Sequence, residues 1–61
     1  MKLSEIKEHQ TYKGKTGAGR KVLRIFNHGF IWKVEMMYGG GYIRIIDLKS
    51  FARWAKERVD K

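Results

Sequence analysis

The sequence predicts an α+β fold: a small, strongly bent antiparallel β-sheet or barrel with one C-terminal α-helix. Three observations predict it. Residues 20–26, RKVLRIF, and 29–38, GFIWKVEMMY, are rich in β-branched and aromatic residues and are bounded by Asn and Gly. Two turn signals, Asn27-His28-Gly29 and Gly39-Gly40-Gly41, separate these runs from each other and from a third, YIRIIDL at 42–48. Tight hairpins need residues of this kind, which accept positive φ. Residues 48–59, LKSFARWAKERV, then change to helical spacing, with Leu48, Phe51, Ala52, Ala55 and Val59 on one side.

The hydrophobic pattern assigns faces. A two-residue turn at His28-Gly29 sets Ile25 opposite Trp32 and Leu23 opposite Val34, with Arg24 by Lys33 and Val22 by Glu35 on the other side. Pairing Met37 with Tyr42 across the triple glycine places Met36 by Ile43, Val34 by Ile45 and Glu35 by Arg44. A register one residue shorter keeps Ile43 and Ile45 inside but loses the opposition of Glu35 and Arg44. The expected inner face is Leu23, Ile25, Trp32, Val34, Met36, Ile43 and Ile45, with Phe30 and Phe51 completing the core. The expected outer face carries Arg24, Lys33, Glu35 and Arg44 together with Val22, Phe26, Ile31, Met37, Tyr42 and Ile46. That is too much apolar surface to leave wet, so the sheet either curls into a barrel or is covered by something.

Asp47 or Ser50 suits the helix N-cap. Lys49, Arg53, Lys56 and Glu57 turn outward, and Trp54 sits at the border of the apolar stripe, at a seam between helix and sheet. Before the sheet, Leu3 and Ile6 fit a single helical turn and residues 10–13 a short strand. If Thr11–Lys13 pairs with residues 20–22, the segment between them is the loop of a third hairpin.

That loop, within GKTGAGRK at 14–21, imitates a phosphate cradle. Gly14 and Gly19 have the required spacing, but Arg20 and Lys21 stand where the motif needs Lys followed by Ser or Thr. A cradle also needs a helix after the loop, whose N-terminus meets the anion. Here the strand VLRIF follows, and 61 residues leave no room for a βαβ nucleotide scaffold. The loop is read as a flexible tip bearing Lys13, Lys15, Arg20 and Lys21.

Charge points to the partner class. Fourteen Lys and Arg against six Asp and Glu give a net charge of +8, which favours a polyanion. Eight aromatic residues are interleaved with these cations, as in platforms where nucleic-acid bases stack. Tyr38 and Tyr42, flanking the glycine tip, are the aromatics expected to be exposed, and Tyr42 beside Arg44 is the best stacking candidate. The candidate nucleic-acid-binding set is Lys13, Lys15, Arg20, Lys21, Arg24, Lys33, Tyr42 and Arg44, acting on phosphates of DNA or RNA.

Other chemistries find no residues to carry them. With no Cys there is neither a disulfide framework nor a zinc ribbon, and a cytoplasmic location is expected. His9 and His28 lack the acids that would make a metal site, and no cofactor is implied. Ser4 and Ser50 have no evident His and Asp partners, so a non-enzyme is expected. No apolar run approaches a membrane span or a secretory h-region.

The opening KLSEIKEHQTYKGK, the glycine-flanked hairpins and the closing IIDLKSFARWAKE, with Ser50, Phe51, Trp54 and Ala55 in an S-F-x-x-W-A helix, resemble short reading frames of bacteriophages and prophages. The resemblance implies an accessory factor in the bacterial cytoplasm that binds nucleic acid, or that binds and modulates a host protein such as a defence component. The architecture is similar to small barrels of the Src-homology-3 kind, which host RNA binders, DNA binders and peptide readers alike. For a protein partner, the expected contact residues are Val22, Phe26, Ile31, Met37 and Ile46 on the outer sheet, with Arg53, Trp54 and Lys56 on the helix. The same sheet face is the expected surface of a homodimer, which would relieve the small core of a single 61-residue domain.

Overall fold

Gly29 and Gly39 decide how the sheet is built. In a computed structural model, which describes residues 1–59, both lie in the left-handed region, at φ 70° and 59°, as the first residues of their turns. At Gly29 a positive φ in the first central position is what a two-residue hairpin turn that matches strand twist demands, and the three-residue turn also has Gly41 at φ 112°. Around these turns run β1 (Thr11–Lys13), β2 (Arg20–His28), β3 (Ile31–Tyr38) and β4 (Tyr42–Asp47). The chain continues through α1 (Leu48–Trp54) to β5 (Glu57–Arg58), and a 3-10 turn at Leu3–Glu5 precedes the strands. The sheet is antiparallel, in the order β4-β3-β2-β1-β5. Its outer strands do not meet, so it is an open sheet and not a closed barrel.

The third hairpin forms as expected, with Thr11 opposite Lys21 and Tyr12 opposite Arg20. The other two registers differ from the sequence reading. The first turn is Gly29-Phe30, so His28 faces Ile31, Ile25 faces Val34 and Arg24 faces Glu35. A bulge between Val22 and Arg24 then turns Val22 inward, opposite Met36. The second turn takes all three glycines, pairing Tyr38 with Tyr42, Met37 with Ile43 and Val34 with Ile46. This slip of one residue reverses β4, because side chains alternate with period two. Tyr42, Arg44 and Ile46 join the inner face, and Ile43 and Ile45 move outside. Phe30, expected in the core, rides fully exposed on its turn, and Trp32 is 54% exposed.

The core consists of Ile6, Tyr12, Val22, Val34, Met36, Leu48, Phe51, Ala52 and Ala55. Tyr12 lies at its centre. Its ring meets Phe51 edge-on, with centroids 5.7 Å apart, a favoured aromatic geometry. The hydroxyl accepts from the Lys7 N–H at 2.8 Å and donates to the Glu5 carbonyl at 2.9 Å. Segment 8–10 is held to β2 by main-chain bonds from His9 to Val22 and from Val22 to Gln10. Past the bulge, the Glu8 carboxylate accepts the Ile25 N–H at 2.8 Å.

The helix is shorter than its periodicity suggests. It ends at Trp54, and Ala55 is extended at φ −70°, ψ 130°. Residues 56–59 instead close the sheet edge: Lys56 N–H donates to the Lys13 carbonyl and Val59 N–H to the Thr11 carbonyl. Main-chain bonding to the β1 carbonyls outweighs one further helical turn, and Val59 is exposed. Asp47 occupies the N-cap position, but its carboxylate takes Lys33 at 2.6 Å in place of the helix amides.

Replacing Phe51 with Ala is expected to cost about 3–5 kcal/mol, enough to unfold a core this small. Tyr12→Phe keeps the ring but strands the Lys7 N–H and the Glu5 carbonyl, and is expected to cost about 1–3 kcal/mol. Thermal melts of the two variants should rank them in that order, both below wild type.

Candidate nucleic-acid interface

Where the C-terminal end of α1 meets the inner face, four side chains from four elements stack in a row. The Arg20 guanidinium from β2 lies 4.3 Å from the Trp54 ring centroid and 5.4 Å from that of Tyr38 on β3. Tyr38 in turn lies 6.0 Å from Tyr42 on β4, tilted by 33°. Trp54 itself packs on Phe51 at 5.4 Å, which fixes the inner end of the row to the core. Tyr42 closes the outer end and is 69% exposed. A cation between two rings is attracted by both quadrupoles, so Arg20 stiffens this ledge.

The register explains the arrangement. Arg20 opposes Tyr38 across β2–β3, and Tyr38 opposes Tyr42 across β3–β4. All three therefore point to the same side of the sheet. Arg44, two residues along β4 from Tyr42, is exposed on this inner face opposite Met36. Gly14 lies directly beneath Trp54: a Cβ there would stand 2.6 Å from the indole nitrogen. The loop is thereby seated against the ledge, with exposed Lys15 one residue farther on. Arg53 and Lys56, both exposed, flank Trp54 in the chain.

The candidate cations are divided between two faces. Lys13, Lys21, Arg24 and Lys33 lie on the outer side, and three of them are neutralised: Lys13 by Glu57 at 3.0 Å, Arg24 by Glu35 at 2.9 Å and Lys33 by Asp47 at 2.6 Å. Arg24 also covers the Phe26 ring at 4.3 Å. By contrast Lys15, Arg44, Arg53 and Lys56 have no acidic partner among the described residues. Arg20, Tyr42 and Arg44 thus share the inner face, whereas on the outer side Lys13, Arg24 and Lys33 are paired and Lys21 has no acidic partner among the described residues. Tyr38, expected to be exposed beside the glycine tip, is instead half-buried, packs against the core and completes the row.

The candidate protein-contact set changes as well. Val22 is fully buried and Ile46 packs against the core from the inner face, so neither is available on the outer sheet. Phe26, Ile31 and Met37 do face outward, joined by Ile43 and Ile45 at 58% and 49% exposure. At the far end of β3, Leu3, Phe30, Ile31, Trp32 and Leu48 line a groove of about 270 Å³. Among the described residues no group of three or more His, Cys, Asp or Glu could hold a metal ion, and no helix is long and apolar enough to cross a membrane. No known protein family, characterised protein or solved structure matches this chain.

Gly14→Ala tests how the ledge is supported. The added methyl group must displace the indole or the Trp54 carbonyl 3.1 Å away, and overpacking of this kind typically costs about 1–3 kcal/mol. The expected result is a lower melting temperature and an altered near-ultraviolet circular dichroism signal from Trp54, read in a Trp32→Phe background.

Proposed function

We propose that this protein binds single-stranded nucleic acid along the ledge, working by association and without chemistry on its ligand. The observation that carries the reading is the Trp54–Arg20–Tyr38–Tyr42 row, which ends on a ring open to solvent near Arg44, a cation with no acidic partner among the described residues. An unpaired base stacks on Tyr42, since every base offers a π face to an exposed ring. Arg44 meets the adjoining phosphate, and Lys15, Arg53 and Lys56 extend the cationic track toward the helix end. The pattern favours single strands because a duplex keeps its base faces stacked on one another. The likeness of the sequence plan to short phage reading frames supports an accessory role of this type.

Titration of labelled oligonucleotides, single- and double-stranded, at several salt concentrations tests the reading. Three or four phosphate contacts predict that log affinity falls against log salt with a slope of about −2 to −3 for single strands. Tyr42→Ala is expected to weaken single-strand binding by about 5- to 150-fold, equivalent to the roughly 1–3 kcal/mol of one stacked base. The melting temperature should hardly move, because the ring is exposed. Absence of binding at low salt, or equal binding by Tyr42→Ala, would remove the ledge as a nucleic-acid site.

A further inference from the structure

β4 is an edge of the sheet among the described residues, and of the devices that usually blunt an edge it carries only charge, Arg44 on the inner face and Asp47 at its end. Its six residues, YIRIID, include three isoleucines and neither Pro nor Lys, and its pairing with β3 has no bulge. The opposite edge, β5, is only the charged pair Glu57–Arg58. The free main-chain groups of β4 follow from the turns. A two-residue turn makes His28 and Ile31 a hydrogen-bonded pair. Alternation along β3 then directs the N–H and C=O groups of Val34, Met36 and Tyr38 toward β4. Their partners Ile46, Arg44 and Tyr42 use their own main-chain groups inside the sheet, whereas Ile43 and Ile45 direct theirs away from it.

We propose that two copies of this chain pair antiparallel through β4, about a two-fold axis at Arg44, and that a phosphate of bound nucleic acid bridges the two Arg44 guanidiniums. The bridging half rests on the proposed function; the pairing half rests on β4 alone. An even register is required, because an odd one joins the inner face of one copy to the outer face of the other. Centred on Arg44, the register sets Ile43 opposite the partner's Ile45 and Tyr42 opposite the partner's Ile46, each twice. Moving the axis to Ile45 places Ile43 against the partner's Asp47 and Arg44 against the partner's Ile46, and leaves Ile45 opposite the partner's Ile45 as the one apolar pair.

Charge permits this contact and also regulates it. On the outer face, the flanking ion pairs Arg24–Glu35 and Lys33–Asp47 leave the isoleucine strip locally neutral. On the inner face, Arg44 stands opposite its own copy, an arrangement that is destabilising when nothing lies between the two charges. A phosphate accepts hydrogen bonds from both guanidiniums and reverses the sign of the interaction. Six-residue edges are far short of the roughly 20–30 residues a side of a stable interface, and each copy carries a net charge of +8. The bare pair is therefore weak, and the ligand supplies the missing stabilisation by mass action. Pairing also brings the two ledges onto one continuous face.

Sedimentation velocity of the full chain, alone and with oligothymidylate, tests the proposal. Wild type is expected to be mainly monomeric alone and to form a two-to-one complex with the oligomer. Ile45→Lys, on the outer face and away from the ledge, should bind one-to-one, with its single-site affinity and melting temperature retained. Arg44→Ala should bind nucleic acid more weakly yet self-associate more strongly than wild type in its absence, by up to roughly fivefold. A two-to-one complex with Ile45→Lys, or no gain in self-association for Arg44→Ala, overturns the pairing. One-to-one binding by wild type overturns it while leaving the nucleic-acid reading intact. If nucleic acid does not bind but Arg44→Ala dimerises and Ile45→Lys does not, the pairing half stands and the bridging phosphate falls with the proposed function.

Discussion

Tyr12 holds three separate parts of the chain in one place. Its strand is only three residues long, yet it lies between β2 and β5 and has to fix both. The ring is fully buried against Phe51, which sets where α1 crosses the inner face. The hydroxyl binds the main chain at Glu5 and Lys7, so the lead-in passes over the same core. Burying a hydroxyl without a partner is costly, and this one has both a donor and an acceptor. With Tyr12 and Phe51 in place, Trp54 has one remaining position, at the sheet edge beside Arg20. The ledge is thus a consequence of how the core is anchored.

In so basic a domain, the placement of the acids matters more than the number of cations. Glu35, Asp47 and Glu57 each neutralise a cation on the outer side. Glu5 and Glu8 accept main-chain N–H groups at Lys2 and Ile25. None of these described acids faces the ledge cations through an ion pair. The three ion pairs thus remove charge from the outer side, whereas Lys15, Arg20, Arg44, Arg53 and Lys56 keep theirs among the described residues. Composition reports the excess, and pairing decides where it acts.

The candidate site was legible in its ingredients and not in its geometry. Tyr42 stood out because it flanks the triple glycine and has Arg44 beside it, and that adjacency survives folding. Arg20 was read only as a loop-tip cation, since nothing local shows that it will lie between Tyr38 and Trp54, which are 18 and 34 residues away in the chain. Lys13, Arg24 and Lys33 looked equivalent to Lys15 and Arg44 until their acidic neighbours across the strands were known. Val22 and Ile43 exchanged roles because a bulge and a three-residue turn each shift the chain by one position.

The sequence by itself determined the three hairpins, a helix beginning at Leu48, the burial of Val34, Met36 and Phe51, and the excess of positive charge. These depend on short-range properties: β-branched runs, glycines that accept positive φ, and helical spacing. Tertiary structure decided which of several nearly equivalent registers the glycines produce, because a turn residue's φ is chosen together with the strands it joins. It also decided where α1 ends, since the helical pattern continues to Val59 but hydrogen bonds to the carbonyls of Thr11 and Lys13 on β1 recruit that segment into the sheet. Both outcomes are set by hydrogen bonds between residues distant in the chain, whose competition local pattern does not record.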